Sequence, residues 1–231
     1  MIDAPKPPFE GFGASAADWF DRLDTDNSKA FFIATKREWE DAVRLPMESL
    51  IAEAAEAFGG NSSKLFRPYR DVRFSPDKRP IKTSCSGYVT RPGTMGFLYA
   101  ELSRDGLYAG TGLYDPAKDQ LTRLREMIDD DRRGGELERI VAALGTAGLE
   151  VSGDALTTAP KGYPRDHPRI ALLRLKWIVA GARLVPCPAL LDRRALDQTF
   201  STWRKAEPLI AWLDAHIGPS EIAVEERFAR R

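Results

Sequence analysis

Cysteine and histidine are the scarcest reactive residues in this 231-residue chain. There are two of each: Cys85, Cys187, His167 and His216. Two cysteines about a hundred positions apart exclude a disulfide framework, and neither belongs to a C-x-x-C pair or lies near a histidine at metal-ligand spacing. Two histidines exclude a His-rich metal site, and without an EF-hand loop or spaced acidic motif no metal is expected. No run of roughly 18 apolar residues occurs, which argues against a membrane-spanning helix. The acidic, proline-bearing start MIDAPKPPFEGF has no apolar stretch of a secretory leader. These absences together point to the cytoplasm, with no membrane partner. G-x-x-x-x-G-K, G-x-S-x-G and H-E-x-x-H are all missing. Gly110-Thr111-Gly112 lacks the third glycine of a dinucleotide fingerprint and lies in an expected strand, so no cofactor is implied.

Net charge is also missing: Lys+Arg 34 balance Asp+Glu 34. The balance is made of opposed blocks. Residues 1–60 carry 6 basic and 12 acidic side chains, 64–82 carry 7 and 2, 83–157 carry 8 and 12, and 158–231 carry 13 and 8. The neutral total argues against nucleic acid as a partner without excluding it. The basic block of 19 residues points instead to a local anion site.

Periodicity supplies the architecture. Trp19, Phe20 and Leu23 mark a helix over 14–23. Apolar residues from Phe31 to Phe58 recur at three and four, with Ser28 as N-cap, Gly59-Gly60 as stop and Pro46 dividing the run near Leu45. Met95–Leu102 and Leu107–Tyr114, joined through Asp105-Gly106, read as a hairpin, and Gly110 and Gly112 as a bulge or close approach. Asp115 as N-cap and Pro116 at the first position open a helix carrying Leu121, Leu124 and Ile128. A short helix over Leu137–Leu144, an extended piece at 149–156, a helix from His167 to Leu175 capped by Asp166, a strand over 177–185 and a long helix over 193–217 with Pro208 complete the chain. The expectation is a single α+β domain over 1–231 with a central, mostly antiparallel sheet and helices packed at both chain ends. Residues 1–8 are expected to be a flexible N-terminus and 219–231 a charged tail. Aromatic surplus on the last helix is compatible with a homodimer.

Within 64–82, Arg67, Arg70, Arg73, Lys78, Arg79 and Lys82 are interleaved with Phe66, Tyr69, Val72 and Phe74. If 70–74 is extended, Arg70 shares the buried face with Val72 and Phe74. A guanidinium there needs a carboxylate or a ligand anion. Two readings follow. In one, Arg67, Arg70, Arg73, Lys78 and Lys82, helped by Lys161, bind a phosphate- or carboxylate-bearing small ligand. In the other, Asp71, Asp77 or acidic residues of the first block clamp the segment to the helices. The loop Pro160–Pro168 supplies Lys161 and also His167, the one candidate acid or base for an enzyme acting on a phosphorylated or nucleotide-like substrate. A third alternative is a nucleic-acid or protein interaction module. Ser84, Cys85 and Ser86 lie beside the basic segment but have no base placed for them. The acidic run Asp129–Asp131 with Glu136 and Glu138 reads as a solvated helix end.

The segments Leu65-Phe66-Arg67, Tyr69 through Ser75, Asp77-Lys78 with Pro80, and Lys82-Thr83 occur together with Gly96-Phe97-Leu98-Tyr99, Gly110-Thr111-Gly112, Pro160-Lys161-Gly162-Tyr163 and Asp166-His167-Pro168. In this combination the chain resembles the family catalogued as domain of unknown function 2461, over roughly residues 9–216. Ile81 stands where the family pattern has an aromatic, and Phe31-Phe32 where it has Trp-Phe. The family carries no established activity, so the resemblance implies relatives and no reaction.

Overall fold

A computed structural model of the chain describes residues 6–73 and 76–222. Its architecture is α+β, built on one six-stranded antiparallel sheet in the order β1-β2-β3-β4-β6-β5. The strands are β1 (Ser62–Leu65), β2 (Ser84–Thr90), β3 (Phe97–Ser103), β4 (Gly106–Leu113), β5 (Glu150–Ser152) and β6 (Ile178–Leu184). The helices are α1 (Ala16–Thr25), α2 (Lys29–Trp39), α3 (Leu45–Ala57), α4 (Lys118–Asp129), α5 (Asp131–Thr146), α6 (Ile170–Leu173) and α7 (Arg194–His216). The chain divides into two compact units. One comprises the described residues of Met1–Pro92 with Leu98–Ala109 and Arg183–Ser201, and the other those of Gly93–Phe97, Gly110–Ala182 and Thr202–Arg231.

The first unit is organised by aromatic packing of α1 to α3. Trp19, Phe20, Phe32 and Trp39 are buried and meet edge to face or tilted. Ser28 caps α2 as the sequence indicates, its Oγ accepting from the Phe31 N–H at 3.0 Å. At Pro46 the helix is re-wound rather than broken. Glu40–Arg44 form a π turn that runs straight into α3, and the Leu45 N–H reaches back five residues to the Glu40 carbonyl. In a regular α-helix the Ala42 carbonyl would accept from residue 46, which as proline has no N–H. That carbonyl instead accepts from the Gly13 N–H at 2.8 Å. A Cβ on Gly13 would lie 2.6 Å from Ala42 Cα, so only glycine fits there. Farther along, the Arg193 guanidinium bonds both the Phe9 carbonyl and Glu53, whose carboxylate also accepts the Phe9 N–H. Phe9 is fully buried, and Lys6 pairs with Glu48 at 3.2 Å.

Strands β1 and β2 are the elements that sequence periodicity did not mark. β1, S-S-K-L, looks like linker, and it exists because β2 pairs with it, Lys64 opposite Tyr88 and Leu65 opposite Gly87. The hairpin of β3 and β4 stands where the sequence puts it, but turns at Arg104-Asp105, one residue ahead of the expected Asp105-Gly106. Gly106 follows at φ +102°, where an added Cβ would strike the Leu184 carbonyl.

In the second unit, Leu124, Ile128, Leu137, Leu173, Ile178, Leu209 and Trp212 form a continuous core. Gly112 marks a close approach, an added Cβ falling 2.3 Å from the Ile178 carbonyl. Three helix boundaries differ from expectation. Asp115 does not cap α4: it adopts φ +49° to turn the chain out of β4, and the Gln120 side chain accepts the Ala117 N–H instead. Helix α5 begins six residues before Leu137, at Asp131, with Asp130 as its cap. Gly134 is required within the helix because Arg169 crosses it. The stretch after Asp166 yields only the single turn α6. Past α7, the start of the acidic and basic tail is held in place. Asp119 accepts from Ser220 Oγ and the Glu221 N–H, both at 2.8 Å, and Arg123 donates to the carbonyls of Ile217 and Pro219. Residues 1–5 and 223–231 of the two expected mobile ends lie outside the described residues.

Two outcomes test this framework. A Cβ on Gly134 would sit 2.1 Å from the Ile128 carbonyl and 2.6 Å from Arg169 Nε, whereas one on Gly135 meets nothing within 4 Å. Gly134→Ala therefore lowers unfolding free energy by about 2 kcal/mol through overpacking, and Gly135→Ala raises it by up to about 1 kcal/mol through helix propensity, both measured by urea unfolding. The second concerns acid. Burial pushes the Asp119 carboxyl up, but the Glu221 N–H, Ser220 Oγ, the Gln120 N–H and Arg123 together hold it at about 2. A carboxyl lower in the folded than in the unfolded chain stabilises above its unfolded value near 4, and that contribution fades as pH falls toward 2. Asp119→Asn is expected to melt below the parent at pH 7, with the gap closing between pH 4 and 2.

Candidate functional site

The basic segment belongs to the first unit. It runs outward from β1 and returns to β2, held by an antiparallel bridge, Tyr69 with Ile81, in which the Arg70 N–H donates to the Pro80 carbonyl and the Lys82 N–H to the Pro68 carbonyl. Asn27 fastens this bridge to the helices, its amide exchanging two hydrogen bonds with the backbone of the fully buried Ile81. Tyr69 packs edge to face on Phe32. Residues 70–73 are not a strand, but Arg70 turns inward as expected, its side chain only 23% exposed. Phe74, expected on the same face, lies outside the described residues.

The seven basic side chains divide into two sets. Arg73 closes a bidentate pair on Asp71, and Arg79 does so on Asp77 while also reaching Asp24 of α1 at 2.9 Å. Arg104 joins Asp24 and Asp21 from the hairpin turn. Lys78 donates to the Val72 carbonyl at 2.9 Å. This set is the clamp, and it uses the acidic residues of the segment and of α1. Arg73 and then its own N–H hold Asp71 at about 2, and Arg79, with Arg70 as a further positive neighbour, holds Asp77 at about 2. Both carboxylates therefore stay charged throughout the ordinary pH range.

The second set is Lys64, Arg67, Arg70 and Lys82. Arg70 reaches Asp77 at 3.2 Å, but that carboxylate already holds Arg79. Arg70 Nε is shielded from solvent and makes no hydrogen bond among the described residues. Arg67 is exposed, and neither it, Lys64 nor Lys82 forms an ion pair among the described residues. Lys64 and Lys82 instead flank the Phe66 ring at 5.7 and 5.1 Å from its centroid. Partial burial, then the like charges of Arg67 and Arg70, push the Lys82 ammonium below its ordinary value. Arg67, Arg70 and Lys64 all act on Lys82 as neighbouring like charges, and the one ion pair that the four make among the described residues is the shared bond of Arg70 to Asp77.

Of the neighbouring nucleophile candidates, Cys85 is buried and its thiol is pushed up to about 12 by that burial, which keeps it protonated. Ser84 Oγ donates to Glu101 Oε2 at 3.2 Å, beside the Tyr99 hydroxyl at 2.7 Å.

Lys161 and His167 belong to the second unit. Lys161 is exposed in the turn before Gly162. The His167 ring is 10% exposed and engaged at both nitrogens: Nδ1 accepts the Arg169 N–H at 3.0 Å and Nε2 lies 3.0 Å from Asp129. Sequence reasoning missed the residue that explains this loop. Arg169, 8% exposed, donates to the Ile128 and Asp129 carbonyls at the end of α4 at 2.6 and 2.9 Å, and pairs with Asp131. The acidic run there is thus partly a socket for the loop, with Asp130 capping α5. The opposite charges of 129–131 and 165–169 are the signal that was available. His167 and Arg169 together bolt the loop onto the α4–α5 junction. No group of three metal-ligating side chains occurs among the described residues, and no helix there is long and apolar enough to cross a membrane.

No curated protein matches the chain. A family model described as a conserved hypothetical protein, domain of unknown function 2461, matches residues 15–212. That span includes the helices that anchor the basic segment, the segment itself, the hairpin and the Arg169 loop, and the chain belongs to this family.

Proposed function

We propose that the protein binds a small ligand bearing phosphate or carboxylate at the cluster of Lys64, Arg67, Arg70 and Lys82. The observation that supports it is Arg70: a largely buried guanidinium with a shared carboxylate and a shielded Nε that finds no acceptor among the described residues, beside a partly buried Lys82 that has no carboxylate among them. An unsatisfied buried donor costs roughly 1–3 kcal/mol, and an anion that accepts from Nε and a terminal nitrogen together would recover it in the two-bond geometry a guanidinium favours. Arg73, Lys78 and Arg79 hold the segment in place. This narrows the expected ligand set, which had included Arg73, Lys78 and Lys161. The acid or base role considered for His167 draws no support from its contacts, which are those of a fastener.

Inorganic pyrophosphate is the probe of choice, because it presents the anion without any other group. By titration calorimetry, Arg70→Gln and Lys82→Gln each weaken its binding about tenfold or more, as expected for loss of a charge-assisted hydrogen bond of ~1.5 kcal/mol. Arg73→Gln leaves it within about threefold, and melting temperatures of the Arg70 and Lys82 variants stay close to the parent's. Absence of pyrophosphate binding in the parent, with a large loss of melting temperature in Arg70→Gln, would assign the whole segment to the clamp.

A further inference from the structure

The anion cluster stands at the margin of a sheet face that has its own chemistry. A Cβ on Gly87 would meet Ile51 of α3 and Leu65. Leu65 and Gly87 therefore face α3, and alternation along the strands sends Lys64, Phe66 and Tyr88 to the opposite face. Phe66 and Tyr88 meet there with centroids 5.6 Å apart. The same division continues on β3, where Leu98, Ala100 and Leu102 are buried while Tyr99 and Glu101 are half-exposed. On β4 it brings Tyr108 to 6.3 Å from Tyr99. Since β2, β3 and β4 are neighbours about 4.8 Å apart, half-exposed rings extend from the cations across three strands. Glu101 accepts from both Tyr99 and Ser84 on Oε2, which leaves Oε1 without a partner among the described residues.

We infer that the ligand is a free nucleoside phosphate, its phosphate on Arg70 and Lys82, its base stacked on Tyr88 and its sugar or amino donors turned to Glu101. The inference rests on the anion site proposed above and adds the ring-binding half. Charge separates the two halves. Phosphate belongs with the four cations, and Glu101, which would repel a second phosphate, offers an acceptor to the hydroxyl or amino groups that a nucleoside carries and a simple phosphate ester of an apolar ring lacks. Stacking on tyrosine is tolerant of base identity because every base has a π face.

The test compares adenosine 5′-monophosphate with ribose 5-phosphate on the full chain by calorimetry. The nucleotide is expected to bind at least about tenfold more tightly, the lower range for one base–aromatic stack. Tyr88→Leu removes that advantage and leaves ribose 5-phosphate within about twofold, while Arg70→Gln weakens both. Circular dichroism confirms that each variant is folded. Equal affinity for the two probes in the parent would overturn the nucleoside assignment and leave the anion site standing. Binding of neither would overturn both. An advantage that survives in Tyr88→Leu and also in Tyr99→Leu would overturn the stacking face.

Discussion

The two-residue alternation of β2, β3 and β4 is the constraint on which the rest depends. It sends Cys85, Val89, Leu98, Ala100 and Leu102 into the core and Ser84, Tyr88, Tyr99 and Glu101 to the other side. A one-residue slip in any of these strands would exchange the two sets, placing Glu101 among aliphatic side chains and Leu98 in water. The glycines police this register. At Gly87, Gly106 and Gly112 the neighbouring chain comes so close that no Cβ fits without displacement. A slip that brought any residue with a side chain to one of those positions would meet backbone.

Charge in the first unit is arranged by the same economy of partners. The acidic helix α1 and the basic segment carry opposite signs, and part of that opposition is spent internally: Asp21 and Asp24 take Arg104 and Arg79, Asp71 takes Arg73, and Asp77 takes Arg79 and one nitrogen of Arg70. Most of these pairs are exposed, so each contributes little to stability alone. Their effect is positional. They fix the loop that carries Arg70 and Lys82, and the neutral total of the chain hides a remainder of positive charge beside Phe66.

How much of this was legible follows from which signals are local. Helix α2 with its Ser28 cap, the β3–β4 hairpin, β6 and α7 are written in periodicity and turn residues, and they stand close to where the sequence puts them. β1 carries no such signal, since its four residues become a strand only through pairing with β2. Asp115 misleads because a good capping residue followed by proline is also a good exit from a strand. The start of α5 at Asp131 was missed in part because Gly134 gives no hint of its place inside a helix: its lack of a side chain serves Arg169, a partner 35 positions away. The inward turn of Arg70 was readable from its apolar neighbours. Which cations Asp71 and Asp77 would take was not, because that depends on where the chain turns around Pro76. Family membership follows from the motifs as a set, and they are spread across both units.

The π turn before Pro46 has a bearing on how the family can change length. An i to i+5 turn holds one residue more than the α-helix on either side of it. Each residue of an α-helix advances the surface by about 100°. Loss of one residue from 40–44 would straighten the helix and roll α3 by that angle about its own axis, carrying Leu50 and Ala54 away from the core and Glu53 away from Arg193. It would also turn the Ala42 carbonyl out of line with the Gly13 N–H that it now receives. Relatives that keep a proline at this point are therefore expected to keep the segment's length and the glycine together, so that an insertion here is inherited as a unit with a residue some thirty positions upstream.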